Sequence, residues 1–132
     1  MKSLQLRLMS MAALLCGSVN FAAAQNYPSK PMRMLTTEPG GGIDITARVI
    51  AQKLTLSLGQ PLVVENRGGA SGAVAGGALA NSSPDGYTLL YYGGTIWTLP
   101  LLRKNVPYDP MRDFAPISIT TSSPYFLYVP TA

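Results

Sequence analysis

The chain contains no histidine. That removes the side chain most often used as a general base and as a metal ligand. Its one cysteine, Cys16, has no partner within the chain, so no internal disulfide forms. Charged residues make up only 12% of the sequence, and no run of lysine and arginine follows a phosphate backbone, which argues against a nucleic-acid partner. Paired carboxylates at a recognisable spacing are missing, and so is any serine or cysteine with a histidine beside it. No catalytic residue is therefore nominated. The first glycine loop lacks Gly-x-Gly-x-x-Gly, and Gly-Lys-Ser/Thr is absent, so no nucleotide cofactor is expected, and no metal.

What the chain does have begins with an export signal. Lys2 and Arg7 precede an apolar run from Leu8 through Leu15 to Phe21, closed by Ala22-Ala23-Ala24. This is the layout of a Sec-type secretory signal over residues 1–24. The run falls short of the roughly 20 residues of a membrane span. Cys16 lies inside it after Leu15, and the residue before a lipidated cysteine is normally small. Cleavage after Ala24 leaves 108 residues and lowers the formal charge from +4 to +2. The expected location is the periplasm.

Beyond the signal, strands and helices alternate. Arg33–Thr37 is β-prone and runs into Pro39 and three glycines. Ala47, Ile50, Ala51, Leu54 and Leu58 then share one helical face. Asp44 suits the N-cap or first turn of that helix, and Gly59 with Pro61 ends it. Leu62–Glu65 reads as a strand, Asn66–Gly72 as a loop, and Ala73–Asn81 as a helix weakened by Gly76 and Gly77. Ser83–Gly86 is a turn, Tyr87–Tyr92 a third strand, and Ile96–Lys104 a short helix interrupted by Pro100. The pattern predicts an α/β fold with a βαβαβ parallel sheet over residues 25–105. Residues 106–132 read as a connector, fixed in shape by Tyr108 and Asp109, followed by β-prone segments at Phe114–Thr120 and Tyr125–Val129.

In a parallel sheet, ligands gather beyond the carboxyl ends of the strands. The glycine loops at 40–42, 68–72 and 93–94 each follow a strand, so they are expected on one rim. A glycine loop ahead of a helix offers backbone N–H groups and partial positive charge to an anion. Arg67, Ser71, Thr95 and Trp97 are further candidates for lining such a site. Local turn bonding, solvation or packing are the competing roles for each of them, and capping competes for Asp44.

A set of motifs now points to a family. These are Tyr27-Pro28-Ser29-Lys30-Pro31, Pro39-Gly40-Gly41-Gly42-x-Asp44-x-x-Ala47-Arg48, Leu58-Gly59-Gln60-Pro61-x-Val63-Val64-Glu65-Asn66-Arg67, Gly69-Ala70-x-Gly72, Pro84–Leu90 and Tyr108-Asp109-Pro110-x-x-Asp113-Phe114-x-Pro116-Ile117. In this order they resemble the substrate-binding receptors of tripartite tricarboxylate transporters, the Bug-type or TctC-like proteins. The resemblance runs from Tyr27 to the last residue. It implies the first lobe of a type II-like periplasmic binding protein, truncated before its second lobe. It further implies a small organic carboxylate as ligand, and a membrane permease of one large and one small subunit as partner. The family's loop positions correspond here to Gly41, Gly42, Asp44, Ser71, Gly72, Gly94 and Thr95.

Three departures stand out. Ile43 replaces a usual hydroxyl residue, Thr37-Glu38 puts a carboxylate before Pro39, and the chain is less than half the family length. The chain's end reads as cut off rather than finished. A truncated periplasmic α/β enzyme, or an inactive degenerate gene product, are the alternative readings. The signal itself is testable. Amino-terminal sequencing of the protein recovered from a bacterial periplasmic fraction is expected to begin at Gln25, and an intact Met1 there would refute cleavage.

Overall fold

The computed structural model describes residues 27–123 and 127–130. The signal expected at 1–24, Cys16 with it, lies outside the described residues, as do Tyr125 and Phe126. The elements run β1 (Met32–Thr36), α1 (Gly42–Leu58), β2 (Leu62–Asn66), a tight turn at Ala70–Gly72, α2 (Ala73–Ala80), β3 (Thr88–Leu90), α3 (Thr95–Leu102) and α4 (Pro110–Asp113). The sheet order is β2-β1-β3, and both pairings are parallel. The expected α/β class and alternating order are what the chain adopts.

The pleat explains the core. Met32 and Met34 lie opposite Leu62 and Val64 in β2, and Met34 lies opposite Leu89 in β3. These side chains point to one face of the sheet. There Ala47 and Ala51 of α1 are buried among them, with Ile50 and Leu54 packed alongside. Four of the five residues assigned to the apolar face of α1 thus meet the sheet, whereas Leu58, in the last turn, is 36% exposed. Leu35 takes the opposite pleat and is buried too, on the side where α2 packs against β1 and β3.

The first and third strands are stapled at their beginnings. The Tyr27 hydroxyl donates to the Gly86 carbonyl at 2.6 Å, and the Ser29 N–H donates to the Tyr87 hydroxyl at 2.9 Å. Lys30 Nζ lies 3.3 Å from Asp85 and 4.3 Å from the centre of the Tyr87 ring. The motifs Tyr27–Pro31 and Pro84–Tyr87, far apart in sequence, are therefore two halves of one contact.

Two features depart from the sequence reading. Phe114–Thr120 forms no strand. Its β-branched residues favour extension, but a strand needs a neighbouring ladder, and the sheet among the described residues holds β1, β2 and β3 without it. Thr121 Oγ1 lies 3.2 Å from the Tyr91 hydroxyl, and Thr120 Oγ1 donates to that hydroxyl at 3.3 Å. A trough of about 620 Å³, lined in part by Leu89, Trp97, Phe114 and Ile117, separates the segment from the outer edge of β3. Trp97 borders this trough and is half-exposed.

The second departure concerns Gly76 and Gly77, which weaken α2 in isolation. A Cβ at Gly76 would run into the Tyr108 ring, and one at Gly77 would lie 2.9 Å from Pro107. The glycines are the seat on which the connector rests. Tyr108 is buried there, and burial raises its hydroxyl's pKa. The hydroxyl donates to the Ile96 carbonyl at 3.1 Å. That carbonyl is the one Pro100 leaves without a helical donor, because proline has no N–H to offer four residues on. Tyr108→Phe is expected to cost about 1–3 kcal/mol by leaving the carbonyl unpaired. In a Pro100→Ala background, where the substitution restores a backbone N–H to the helix, the loss should be smaller. Urea denaturation of the single and double variants measures both.

Candidate functional site

Parallel pairing fixes where the loops emerge. Thr36 lies opposite Asn66, and Leu35 opposite Leu90, so the three strands end at one edge. The loops that follow touch one another. Gly72 packs so closely on the third loop that a Cβ would lie 2.9 Å from the Tyr92 ring and 3.1 Å from Ile96. The Ile43 side chain reaches to 3.5 Å from the Cβ position at Gly93. Glu38 lies against Gly68 and accepts the Gly69 N–H at 2.8 Å.

Each of these loops starts a helix, and each helix is capped by glycine. The N-caps of α1, α2 and α3 are Gly41, Gly72 and Gly94, and none receives a side-chain capping bond. By contrast, α4 is capped in the usual way, with Asp109 accepting the Met111 N–H at 3.0 Å. The first amides of a helix have no partner within it. A serine, threonine, asparagine or aspartate cap would satisfy one of them. Glycine supplies no such bond and keeps the partial positive charge of the helix start. Part of the opening turn of α2 and of α3 is satisfied by backbone: the Ala73 N–H turns back to the Ala70 carbonyl, and the Ile96 and Trp97 N–H groups donate to the carbonyls of Gly93 at 3.3 Å and Gly94 at 3.0 Å. Among the described residues, the three helices that begin at the rim are the ones left without a side-chain cap.

The second loop carries backbone strain as well. Gly69, Ala70, Ser71 and Gly72 have φ values of 113°, 49°, 57° and 101°. Glycine adopts such values freely, whereas Ala70 and Ser71 do so at a cost of order 1–3 kcal/mol each. The turn presents Ser71 outward. Ser71 and Thr95 are both exposed, and their hydroxyls make no hydrogen bond among the described residues. Gly41, Gly42 and Gly94 are exposed at the same rim, and Gly72 is buried beneath it.

Asp44 takes the first-turn place of the two expected for it, with Gly41 at the N-cap, and its side chain faces inward rather than toward the rim. It is the third residue of α1, only 3% exposed, and its carboxylate is occupied from within. Oδ2 accepts the Gly40 N–H at 2.9 Å and Arg48 Nε at 3.1 Å, while Oδ1 accepts Asn66 Nδ2 at 2.7 Å and pairs with Arg48 Nη2 at 3.0 Å. A buried carboxylate needs these donors, and they leave it none to spare. Asn66 also donates to the Thr37 carbonyl at 2.7 Å and accepts from Arg48 at 2.8 Å. Asp44, Arg48 and Asn66 thus clamp the first loop to the end of β2. Arg48 was legible from its position four residues after Asp44 on a helix. Asn66 was not, because only the sheet register brings it there. Arg67 extends outward to pair with Glu65 at 3.4 Å.

Known proteins resemble this chain in sequence and in fold. Residues 46–132 match the model of the tripartite tricarboxylate transporter family receptor, TctC. The chain belongs to this receptor family. It is a family of binding proteins, not of enzymes. Relatives include a UPF0065 protein of Bordetella bronchiseptica, 40% identical over 90% of this chain and 34% of its own length. Protein BugT of Bordetella pertussis is 38% identical over 92% of this chain and 39% of its own. The structure of a periplasmic transporter superimposes with a TM-score of 0.66 at 46% identity, covering 70% of this chain and 32% of that one. This receptor chain therefore spans about a third of the length of the relatives it matches.

The clamp makes a pH prediction. The hydrogen bond from Arg48, then the Gly40 N–H, then the Asn66 amide pull the Asp44 pKa from 3.8 down to about 2. A depressed folded-state pKa stabilises the fold above the unfolded value, and that contribution is lost as pH falls through the folded one. Thermal melts are expected to show stability falling between pH 3.8 and about 2. Asp44→Asn should flatten that decline while lowering stability at neutral pH. An unchanged acid profile would refute the clamp.

Proposed function

We propose that this chain supplies the first-lobe anion cradle of a periplasmic receptor for a small organic carboxylate. In this reading residues 1–24 direct export, 25–105 build the cradle, and 106–132 lead away from it. The captured solute passes to a tripartite transporter permease of one large and one small subunit. Gly41, Gly42, Ser71, Gly94 and Thr95 meet the ligand through backbone N–H groups and hydroxyls. Gly72 shapes the second loop while its own N–H bonds to the Gly69 carbonyl at 3.0 Å, and Asp44 contributes by its backbone while its side chain holds the loop.

The observation that carries this reading is the set of three glycine-capped helix starts on one rim. Open amides with aligned dipoles favour negative charge, and several aimed at one region favour it more. Membership of a receptor family supports the same reading. The absence of histidine fits a site that binds without transforming its ligand.

An amide-resolved NMR titration of the chain with butanoate tests it. Affinity is expected to be weak, because water competes for every hydrogen bond in an open cradle. Millimolar butanoate should therefore shift the amide signals of Gly42, Ile43, Asp44, Ser71 and Thr95. The Met111 amide, already bonded to Asp109, should stay in place. Uniform small shifts across the chain, or none at the rim, would overturn the proposal.

A further inference from the structure

Glu38 is the acidic side chain that the fold lays across this rim. It stands at the start of the first loop, just after β1, and crosses to the second, where one carboxylate oxygen accepts the Gly69 N–H at 2.8 Å. The crossing is built in. Glu38 lies flat against Gly68, where any Cβ would collide with its side chain. Its charge is felt at the third loop too: the pKa of Tyr92 is raised, first by burial and then by Glu38. Tyr92 in turn packs on Gly72, the cap of α2. A single negative charge therefore reaches all three loops of the proposed cradle.

This charge has two effects on an incoming anion. It consumes one backbone N–H of the second loop, and it repels a second carboxylate brought close to it. Its other oxygen makes no hydrogen bond among the described residues and is free to accept one. We infer that Glu38 sets the charge of the accepted ligand. The rim takes a carboxylate that carries an ammonium or other N–H donor for Glu38, and discriminates against di- and tricarboxylates. The inference rests on the cradle reading above and narrows its substrate class.

The test compares 4-aminobutanoate with butanedioate, similar in length and opposite at the far end. Both are titrated into the chain and into Glu38→Gln, with the amides of residues 42–44 as the readout. Glutamine keeps a carbonyl for the Gly69 N–H, so the variant loses the charge and keeps the bridge. The wild-type chain is expected to favour 4-aminobutanoate over butanedioate by roughly tenfold in half-saturating concentration, and Glu38→Gln to erase or reverse that preference. Raising the salt concentration should shrink the wild-type preference, since screening weakens exposed charges. If butanedioate binds the wild-type chain as well as it binds Glu38→Gln, the role of Glu38 is wrong and the cradle stands. If neither compound moves these amides in either protein, the cradle fails and this inference fails with it. Glu38→Ala provides the second variant, since loss of selectivity there without loss of the folded spectrum confirms that the charge is responsible.

Discussion

Parallel strands must all end at the same edge, and the rim of this protein follows from that constraint. Three strands of five, five and three residues deliver three loops to one place. Nothing in any single loop brings it near the others. The register of β1 with β2 and with β3 does so, and the core beneath holds that register. Met32, Met34, Leu62 and Leu89 share a face, and a slip of one residue would turn a strand's apolar set toward the wrong side. The positioning of polar loops thus depends on apolar side chains a few residues upstream.

On that platform the protein separates two tasks that one residue often combines. Helix starts are usually satisfied by a side chain that also shapes the loop. Here the caps are glycines, and the shape comes from elsewhere: the Asp44–Arg48–Asn66 clamp for the first loop, the left-handed turn and the Glu38 bridge for the second, and Tyr92 and Ile96 packed on Gly72 for the contact between the second and third. The helix starts do without side-chain caps, and groups beneath or beside them hold the loops in place. Ile43 fits this division as well, since its apolar side chain reaches toward Gly93 where a hydroxyl would compete for the same amides.

The sequence made much of this legible. The five residues of the α1 face, the glycine-proline stop after Leu58 and the three β-prone runs placed the three strands within a residue or two, though not their order in the sheet. The common rim followed from alternation alone. What the sequence concealed were relations between distant residues. Glu38 was visible as an acid near the site, but its reach to Gly69 depends on the spacing of two strand ends. Gly76 and Gly77 looked like defects because their partner, Tyr108, lies some thirty positions on. Asp44 suited a cap by type and position, and only burial beside Asn66 turned it inward. Phe114–Thr120 had the composition of a strand and lacked a neighbour to pair with.

The bond between Tyr108 and Ile96 ties the chain's later part to the rim of glycine-capped helix starts. Ile96 is the second residue of α3, directly after Gly94 and Thr95. The ring of Tyr108 is wedged on α2, whose start is Gly72. A displacement of residues 107–110 therefore cannot remain local: it pulls on the opening turn of one helix and levers against the body of another. Whatever moves the segment leading away from the sheet also bears on two of the three helix starts at the rim, as turning a key moves both bolts of a lock.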